Sequence, residues 1–323
     1  MTAILFFQVI FSIILAALTG NLPLSFLESK ARMGKLGFFE KRDASLESNY
    51  LPASADKPSP PKRKPGSRSV GIEISANVAA AVDMVSGKTL FEKKADFAMP
   101  LASLTKLMTA LVALEAPPEW EREVVIMESD LREGPRSMNA GDKITIKDLF
   151  YSALVASENT AAVALSRSMD IAPDEFILRM NAKAEELGML NSSFKDVTGL
   201  DPGNIANALD VAVLARAAFK EEKIKNALMT SSYEIVKSNT GEKKNIKNTD
   251  RLLDGVLNRE PFKIQGGKTG YIDESGYNFV FEVKGGKKQD LVVVVFGSES
   301  AEARFEDAKN LALWAFENFD WEK

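Results

Sequence analysis

Apolar positions recur along the chain with two different periods, and the switches between them outline a fold. From Val70 onward, short runs read as strands: VGIEIS, then AAAVDMV and TLFEKK on either side of a Ser86-Gly87 turn, the pattern of a hairpin. Over residues 104–115 the period becomes helical, because Leu104, Leu107, Met108, Leu111 and Val112 fall at i, i+3, i+4, i+7 and i+8. Further helical stretches are predicted around 146–169, 173–188 and 209–221. Strand patterning returns at 277–284 and 291–297, and a last amphipathic helix over 301–318 turns Phe305, Ala308, Leu311, Ala315 and Phe316 inward. Strands at both ends with helices between them predict an α+β fold, one sheet completed by distant segments and interrupted by a helical insertion. No internal repeat is visible.

Two segments precede that body. Thr2 to Thr19 carries one Gln and no charge, about the shortest run that crosses a hydrocarbon core and about the length of a signal peptide's apolar part. Residues 1–20 are therefore expected to act as a signal peptide or membrane anchor. Residues 21–69 are basic and Pro-rich, with Pro52, Pro58, Pro60, Pro61 and Pro65 among polar residues, and read as a linker. Lys30, Arg32, Lys35, Lys41 and Arg42 follow the apolar run, which under the positive-inside rule opposes export of the body at 70–323. A misassigned start codon is one way to reconcile the two signals.

Composition narrows the chemistry. The 323 residues include no Cys and no His. That removes disulfides, thiolate nucleophiles, zinc-thiolate clusters, imidazole metal sites and every Ser-His-Asp arrangement, so a hydrolase built from this chain needs another side chain as its base. The net charge of −4 is unevenly spread. Residues 1–68 carry ten Lys/Arg against five Asp/Glu, leaving 31 of the 41 basic and 40 of the 45 acidic residues for the body. A body that acidic has no basic footprint for nucleic acid phosphates.

Three short motifs remain. Ser103-Leu104-Thr105-Lys106 is a Ser-x-x-Lys at the first turn of the periodic helix, where a three-residue offset sets the amine beside the hydroxyl. A desolvated lysine close to other cations loses its proton readily and can take the one from Ser103. The same spacing at Ser54…Lys57 and Ser192…Lys195 lacks that helical setting. Ser157-Glu158-Asn159, between two helical stretches, offers a hydroxyl to pass a proton and an amide to hold lysine and substrate. Lys268-Thr269-Gly270 suits a carboxylate receptor on an edge strand, with the glycine leaving room for a ligand along the strand. The overlapping Gly-Lys-Thr is not a phosphate loop, because Phe262 stands where that motif needs glycine; Val82 rules out the copy at 87–89 in the same way.

Taken in order, these motifs resemble those of penicillin-binding proteins. The surrounding text, notably AAAVDMVSGKTLFEKKADFAMPLASLTKLMTALVALE and FILRMNAKAEELGMLNSSFKDVTGLDPGN, is similar to the low-molecular-mass D-alanyl-D-alanine carboxypeptidases, serine peptidase family S11. The resemblance runs from about residue 70 to the C-terminus. It implies a β-lactamase/transpeptidase-like fold, an antiparallel sheet flanked by helices with a helical subdomain. It also implies an acyl-enzyme formed on peptidoglycan stem peptides ending in D-Ala-D-Ala, β-lactams as acylating inhibitors, no cofactor or metal, and an extracytoplasmic site of action. By the same resemblance Ser103 is the nucleophile, Lys106 its base and Ser157 the relay to the leaving D-alanine. Asn159 orients Lys106 and binds substrate amide, Lys268 and Thr269 hold the terminal carboxylate, and the backbone N–H groups of Ser103 and Tyr271, the latter next to Gly270, form the oxyanion hole.

Departures from the family pattern are local. Ala206-Asn207-Ala208 stands where a Ser-Thr-Ala run is usual, which puts contacts there in doubt, and Glu158 fills a position where glycine is common, adding a negative side chain near the cleft. No β-rich second domain or C-terminal amphipathic anchor is recognisable, so the protein is expected either to be anchored by its N-terminus or to be secreted after cleavage. A class A β-lactamase is disfavoured because Leu187 stands where its deacylating glutamate belongs before Leu190-Asn191. A DD-endopeptidase or transpeptidase of the same fold, and a non-catalytic penicillin-binding wall protein, are the competing expectations.

Overall fold

In this computed structural model residues 59–321 are described, apart from positions 117 and 287. The apolar run at 2–19 and most of the Pro-rich segment lie outside the described residues; within them, no helix is long and apolar enough to cross a membrane. Pairing begins at β1 (Lys62–Arg63), ahead of Val70 and antiparallel to the C-terminal strand Phe319–Asp320. The Arg63 guanidinium lies over the rings of Trp314 and Phe319. The hairpin foreseen around Ser86-Gly87 is β2 (Val78–Asp83) and β3 (Thr89–Lys93). Its turn is closed by the Asp83 carboxylate, which accepts from the Ser86 amide and hydroxyl at 2.6 Å each.

VGIEIS, read as a strand, is irregular. A carboxylate takes the place of a neighbouring strand there: Asp307 accepts from the Ser75 amide and hydroxyl at 2.9 and 2.7 Å and from the Ala76 amide at 2.9 Å.

The chain then runs through a two-residue strand β4 (Met99–Pro100) and a 3₁₀ turn (Ala102–Leu104) into α1 (Thr105–Ala113). A small hairpin, β5 (Glu123–Val125) and β6 (Lys143–Thr145), leads to α2 (Ile146–Val155), α3 (Asn159–Arg167) and α4 (Pro173–Leu187). Thr145 caps α2 through the Asp148 amide, while Pro173 at the first turn and Gly188 in the left-handed region bound α4. Next come β7 (Ile205–Ala206), α5 (Ala208–Ala218) and α6 (Glu222–Met229). A hairpin of β8 (Ser232–Val236) and β9 (Lys243–Lys247) follows, then the long strands β10 (Lys263–Ile272), β11 (Gly276–Lys284) and β12 (Asp290–Ser298), and finally α7 (Ala303–Asn318) and β13 (Phe319–Asp320). The helix α6 and the hairpin of β8 and β9 go beyond the elements foreseen from periodicity.

The main sheet has the order β10-β11-β12-β2-β3 with every neighbour antiparallel, so N-terminal strands are completed by C-terminal ones, as the pattern predicted. Both faces are covered. Val78, Ala80, Val82, Val280, Val292 and Val294 pack toward the helical insertion. Ala79, Ala81, Phe279, Phe281, Val293 and Val295 pack under α7 with Phe305, Ala308, Leu311, Ala315 and Phe316, the five residues foreseen as inward. Double coverage explains why LVVVVF reads as a continuous apolar run rather than an alternating one. Each large side chain so buried stabilises the fold by about 1.5–3 kcal/mol. The sheet leaves one consequential edge: β10 ends the order and lies against the turn that carries Ser103.

Candidate active site

Three chain segments meet at that edge. Leu101 donates its amide to the Asn204 carbonyl at 2.7 Å and β4 pairs with β7, which fixes the start of the Ser103 turn. Ala102 has φ +48, a left-handed conformation costly for a residue with a Cβ, and it aims the following serine out of the turn at the head of α1. Gly270 in β10 passes so close that a Cβ there would sit 2.9 Å from the Leu101 carbonyl and 3.3 Å from the Ser103 amide. Gly199, φ +88, is tighter still, and a Cβ at that position would collide with the Ala102 carbonyl. Side chains at either glycine would push the walls apart.

A cleft of about 400 Å³ opens between these segments. Ser103, Ser157, Asn159, Thr269, Gly270 and Tyr271 all line it. Lys106 and Lys268 do not reach its surface: both are at most 1% exposed, and each presents its side-chain nitrogen to a serine that does line the cleft. All eight residues singled out from the sequence therefore converge on one place.

Lys106 Nζ lies 2.7 Å from Ser103 Oγ, 2.7 Å from Asn159 Oδ1 and 2.9 Å from the Thr198 carbonyl. The Asn159 amide is oriented by its other end, since Nδ2 donates to the Glu133 carbonyl at 2.7 Å. Two of the three partners can only accept. A neutral amine has two N–H donors and one lone pair, so it satisfies both acceptors and leaves the lone pair for the hydroxyl proton of Ser103. Burial pushes the Lys106 amine down to about 7, while the charge of Asp196 pulls the other way. Of the two causes named from the sequence, desolvation acts on this amine, whereas the neighbouring charge that acts on it is a carboxylate and not a cation.

Asp196 organises the third partner. Its carboxylate accepts from the amides of Thr198, Gly199 and Asp201 at 3.0, 2.6 and 3.2 Å and from the Thr198 hydroxyl at 2.8 Å, folding the Gly-Leu-Asp loop so that Thr198 turns its carbonyl to Lys106. Asn204 ties this loop to α1 through Thr105 Oγ1 at 3.0 Å.

On the sheet side, Lys268 Nζ donates to Ser157 Oγ at 2.7 Å and to the Thr269 carbonyl at 3.0 Å. A register shift between Ile264 and Gly266 sets Lys268 opposite Val280, on the face turned to the helical insertion. Ser157 adopts φ +60 between α2 and α3, which splits the helical stretch and turns its hydroxyl to that lysine. Burial first, then the positive charges of Lys106 and Arg304, hold the Lys268 amine well below its ordinary range.

Other members of the site were not singled out from the sequence. Arg304, at the start of α7, lines the cleft, reaches the Gly270 carbonyl at 3.3 Å and stacks on Tyr277 and Phe305. Thr249 lines it too and shares a 2.7 Å hydrogen bond with Thr269 Oγ1. The Glu133–Pro135 segment and Leu200 form the outer wall. Only Leu200 lay in a stretch quoted for the resemblance.

The two departures from the family pattern resolve differently. Asn207 caps α5, its Oδ1 accepting from the Asp210 amide at 2.7 Å, while Ala206 pairs with Met99 in the strand leading to Ser103; the local structure is kept by other side chains. Glu158, expected near the cleft, is 1% exposed and outside its lining. It is turned to Ser137, and burial pushes its carboxyl upward.

The chain as a whole is similar to known proteins. The family described as D-alanyl-D-alanine carboxypeptidase, peptidase S11, matches residues 63–300. The D-alanyl-D-alanine carboxypeptidase DacF of Bacillus subtilis is 29% identical over 274 residues, 81% of this chain and 68% of the relative. A D-alanyl-D-alanine endopeptidase of Haemophilus influenzae is 37% identical over 205 residues, 62% of this chain and 67% of the relative. Among solved structures, the Streptomyces K15 DD-transpeptidase superposes with a TM-score of 0.69 at 26% identity, over 77% of this chain and 100% of that one.

Proposed function

The chain belongs to the D-alanyl-D-alanine carboxypeptidase family of serine peptidases, and from that premise we propose that it removes the terminal D-alanine from peptidoglycan stem peptides through an acyl-enzyme on Ser103. The observation that carries the reading is the hydroxyl–amine pair of Ser103 and Lys106 at 2.7 Å, with the amine buried and its remaining partners acceptors only.

The steps follow from the groups present. Lys106 takes the proton of Ser103 as Oγ bonds to the carbonyl carbon of the penultimate residue. The negative charge moving onto the carbonyl oxygen meets the N–H groups of Ser103 and Tyr271, held together by the close pass of Gly270; each such donor contributes about 2.7–4 kcal/mol. The C–N bond then breaks, and the proton passes from Lys106 by way of Ser157 to the departing amine of D-alanine. Water repeats the sequence in reverse: Lys106 takes its proton, oxygen bonds to the acyl carbon, and Ser103 leaves with the proton restored. The leaving carboxylate rests on the Thr269 hydroxyl and the Arg304 guanidinium at the cleft surface, with the Lys268 charge behind Ser157. Asn159 keeps the base in line and offers its amide to the peptide.

β-Lactams, which present a carboxylate and a strained amide in the same relation, acylate the same serine. The enzyme works outside the cytoplasm, delivered by residues 1–20, and holds to the wall side of the membrane if that segment stays attached. The Haemophilus influenzae relative favours one second reading, cleavage of D-Ala-containing cross-links as an endopeptidase.

Labelling with a fluorescent penicillin followed by peptide mass spectrometry tests the acyl-enzyme: the adduct is expected on Ser103, and its absence there rejects the reading. Incubation with a pentapeptide and with cross-linked dimers separates the reactions. Free D-alanine from the pentapeptide is the expected product; cleavage of dimers alone would transfer the assignment to an endopeptidase.

A further inference from the structure

Asp250 is a buried carboxyl that none of these steps uses. It follows Thr249 at the cleft and caps the 3₁₀ turn Arg251–Asp254, its Oδ1 accepting from the Leu252 amide at 2.8 Å. The residue is 3% exposed, and Oδ2 has no hydrogen-bond partner among the described residues. An oxygen left bare in the interior costs about 1–3 kcal/mol, more when charged, unless nearby charge compensates it.

That oxygen lies against β10 at the residue before Lys268. A Cβ on Gly267 would collide with Oδ2, so the carboxyl occupies the space a side chain would take on the strand. The charged groups acting on Asp250 are Arg304 from α7 and Lys268 from β10, both attractive, and Asp254 from its own turn, which is repulsive. Arg304 in turn faces Arg251, Glu302 and Tyr277, and Lys268 faces Lys106 from α1. Among the influences on Lys268, burial, Lys106 and Arg304 all drive its proton off, and Asp250 opposes them.

We propose that Asp250 is the resident counter-ion of the carboxylate receptor: it helps keep Lys268 charged while the cleft is empty and takes up a proton when a ligand's carboxylate replaces its charge. Burial pushes the Asp250 carboxyl up to about 7, where the Lys106 amine also titrates, while the Arg304 guanidinium, lowered to about 10, stays charged there. Asp250 acts through Lys268 and is a positioning residue, and its role rests on the carboxylate-binding reading above.

The test is the pH profile of Ser103 acylation by a fluorescent penicillin between pH 6 and 10. The second-order rate constant is expected to rise as Lys106 loses its proton and fall as Lys268 does. Asp250→Asn keeps an acceptor for the Leu252 amide, so the cap survives. The variant should retain the rising limb and shift the falling limb to lower pH by about one unit, a deficit of about tenfold above it. A loss equal at every pH, or a falling limb at the wild-type position, would overturn the proposal. If the variant does not fold, the ¹³C titration of the Asp250 carboxyl in Ser103→Ala enzyme decides. Saturating N-acetyl-D-alanyl-D-alanine should raise its midpoint, and an unchanged or lowered midpoint contradicts the proposal. Absence of any adduct on wild-type Ser103 would defeat the acyl-enzyme reading instead, and leaves this titration able to judge Asp250 alone.

Discussion

The helical wall and the sheet wall of the cleft each bury a lysine behind a serine, at the same 2.7 Å. On the helical wall the pair is Lys106 and Ser103, three residues apart, and the amine's other partners are an amide oxygen and a carbonyl. On the sheet wall it is Lys268 and Ser157, brought together across 111 residues, with Arg304 and Asp250 acting on the amine as charges. A lysine among neutral acceptors is set up to exchange a proton. One flanked by charged side chains is set up to hold an anion. In the proposed mechanism the same side chain thus serves two ends of one reaction because its surroundings differ.

If that division of labour is right, the two lysines fail differently when removed. Lys106→Ala should lower the rate constant for acylation of Ser103 by about 10²–10⁴ and leave binding of the carboxylate ligand nearly unchanged. Stopped-flow labelling with penicillin checks the first part, and near-normal acylation would mean that the base lies elsewhere. Lys268→Ala should act mainly on KM for a D-Ala-D-Ala peptide, raising it about 10–100-fold, since one charge-assisted contact is worth about 1.5–3 kcal/mol. Steady-state release of D-alanine reads this directly; a collapse of kcat at unchanged KM would erase the distinction between the walls.

Much of this arrangement was legible in the sequence, and the reasons differ by element. The five inward residues of α7 announced themselves through periodicity, because burial of one helix face imposes a repeat, and β11 and β12 through short apolar runs, because both faces of the sheet are covered. The irregular path at VGIEIS did not, since whether an apolar run becomes a strand depends on a partner, and here Asp307, more than 230 residues away, supplies the hydrogen bonds instead. The eight site residues were found by motif order and resemblance. Arg304 escaped because a single arginine on the margin of an amphipathic helix looks like any solvated charge; only the tertiary fold reveals it stacked on Tyr277 beside Gly270. Thr198 escaped for a stronger reason: it contributes a backbone carbonyl, which no residue type encodes. Glu158 was misplaced because its position between two cleft residues says nothing about direction, and the left-handed turn at Ser157 sends the next side chain inward.

The central claim is that an uncharged amine serves as the base where the chain has no imidazole. Side-chain NMR of ¹⁵N-lysine-labelled protein, with Lys106 assigned through the Lys106→Arg variant, measures the midpoint of that amine directly. The account predicts titration near 7, far below the ordinary 10.5. A Lys106 that keeps its proton up to pH 10 would contradict it.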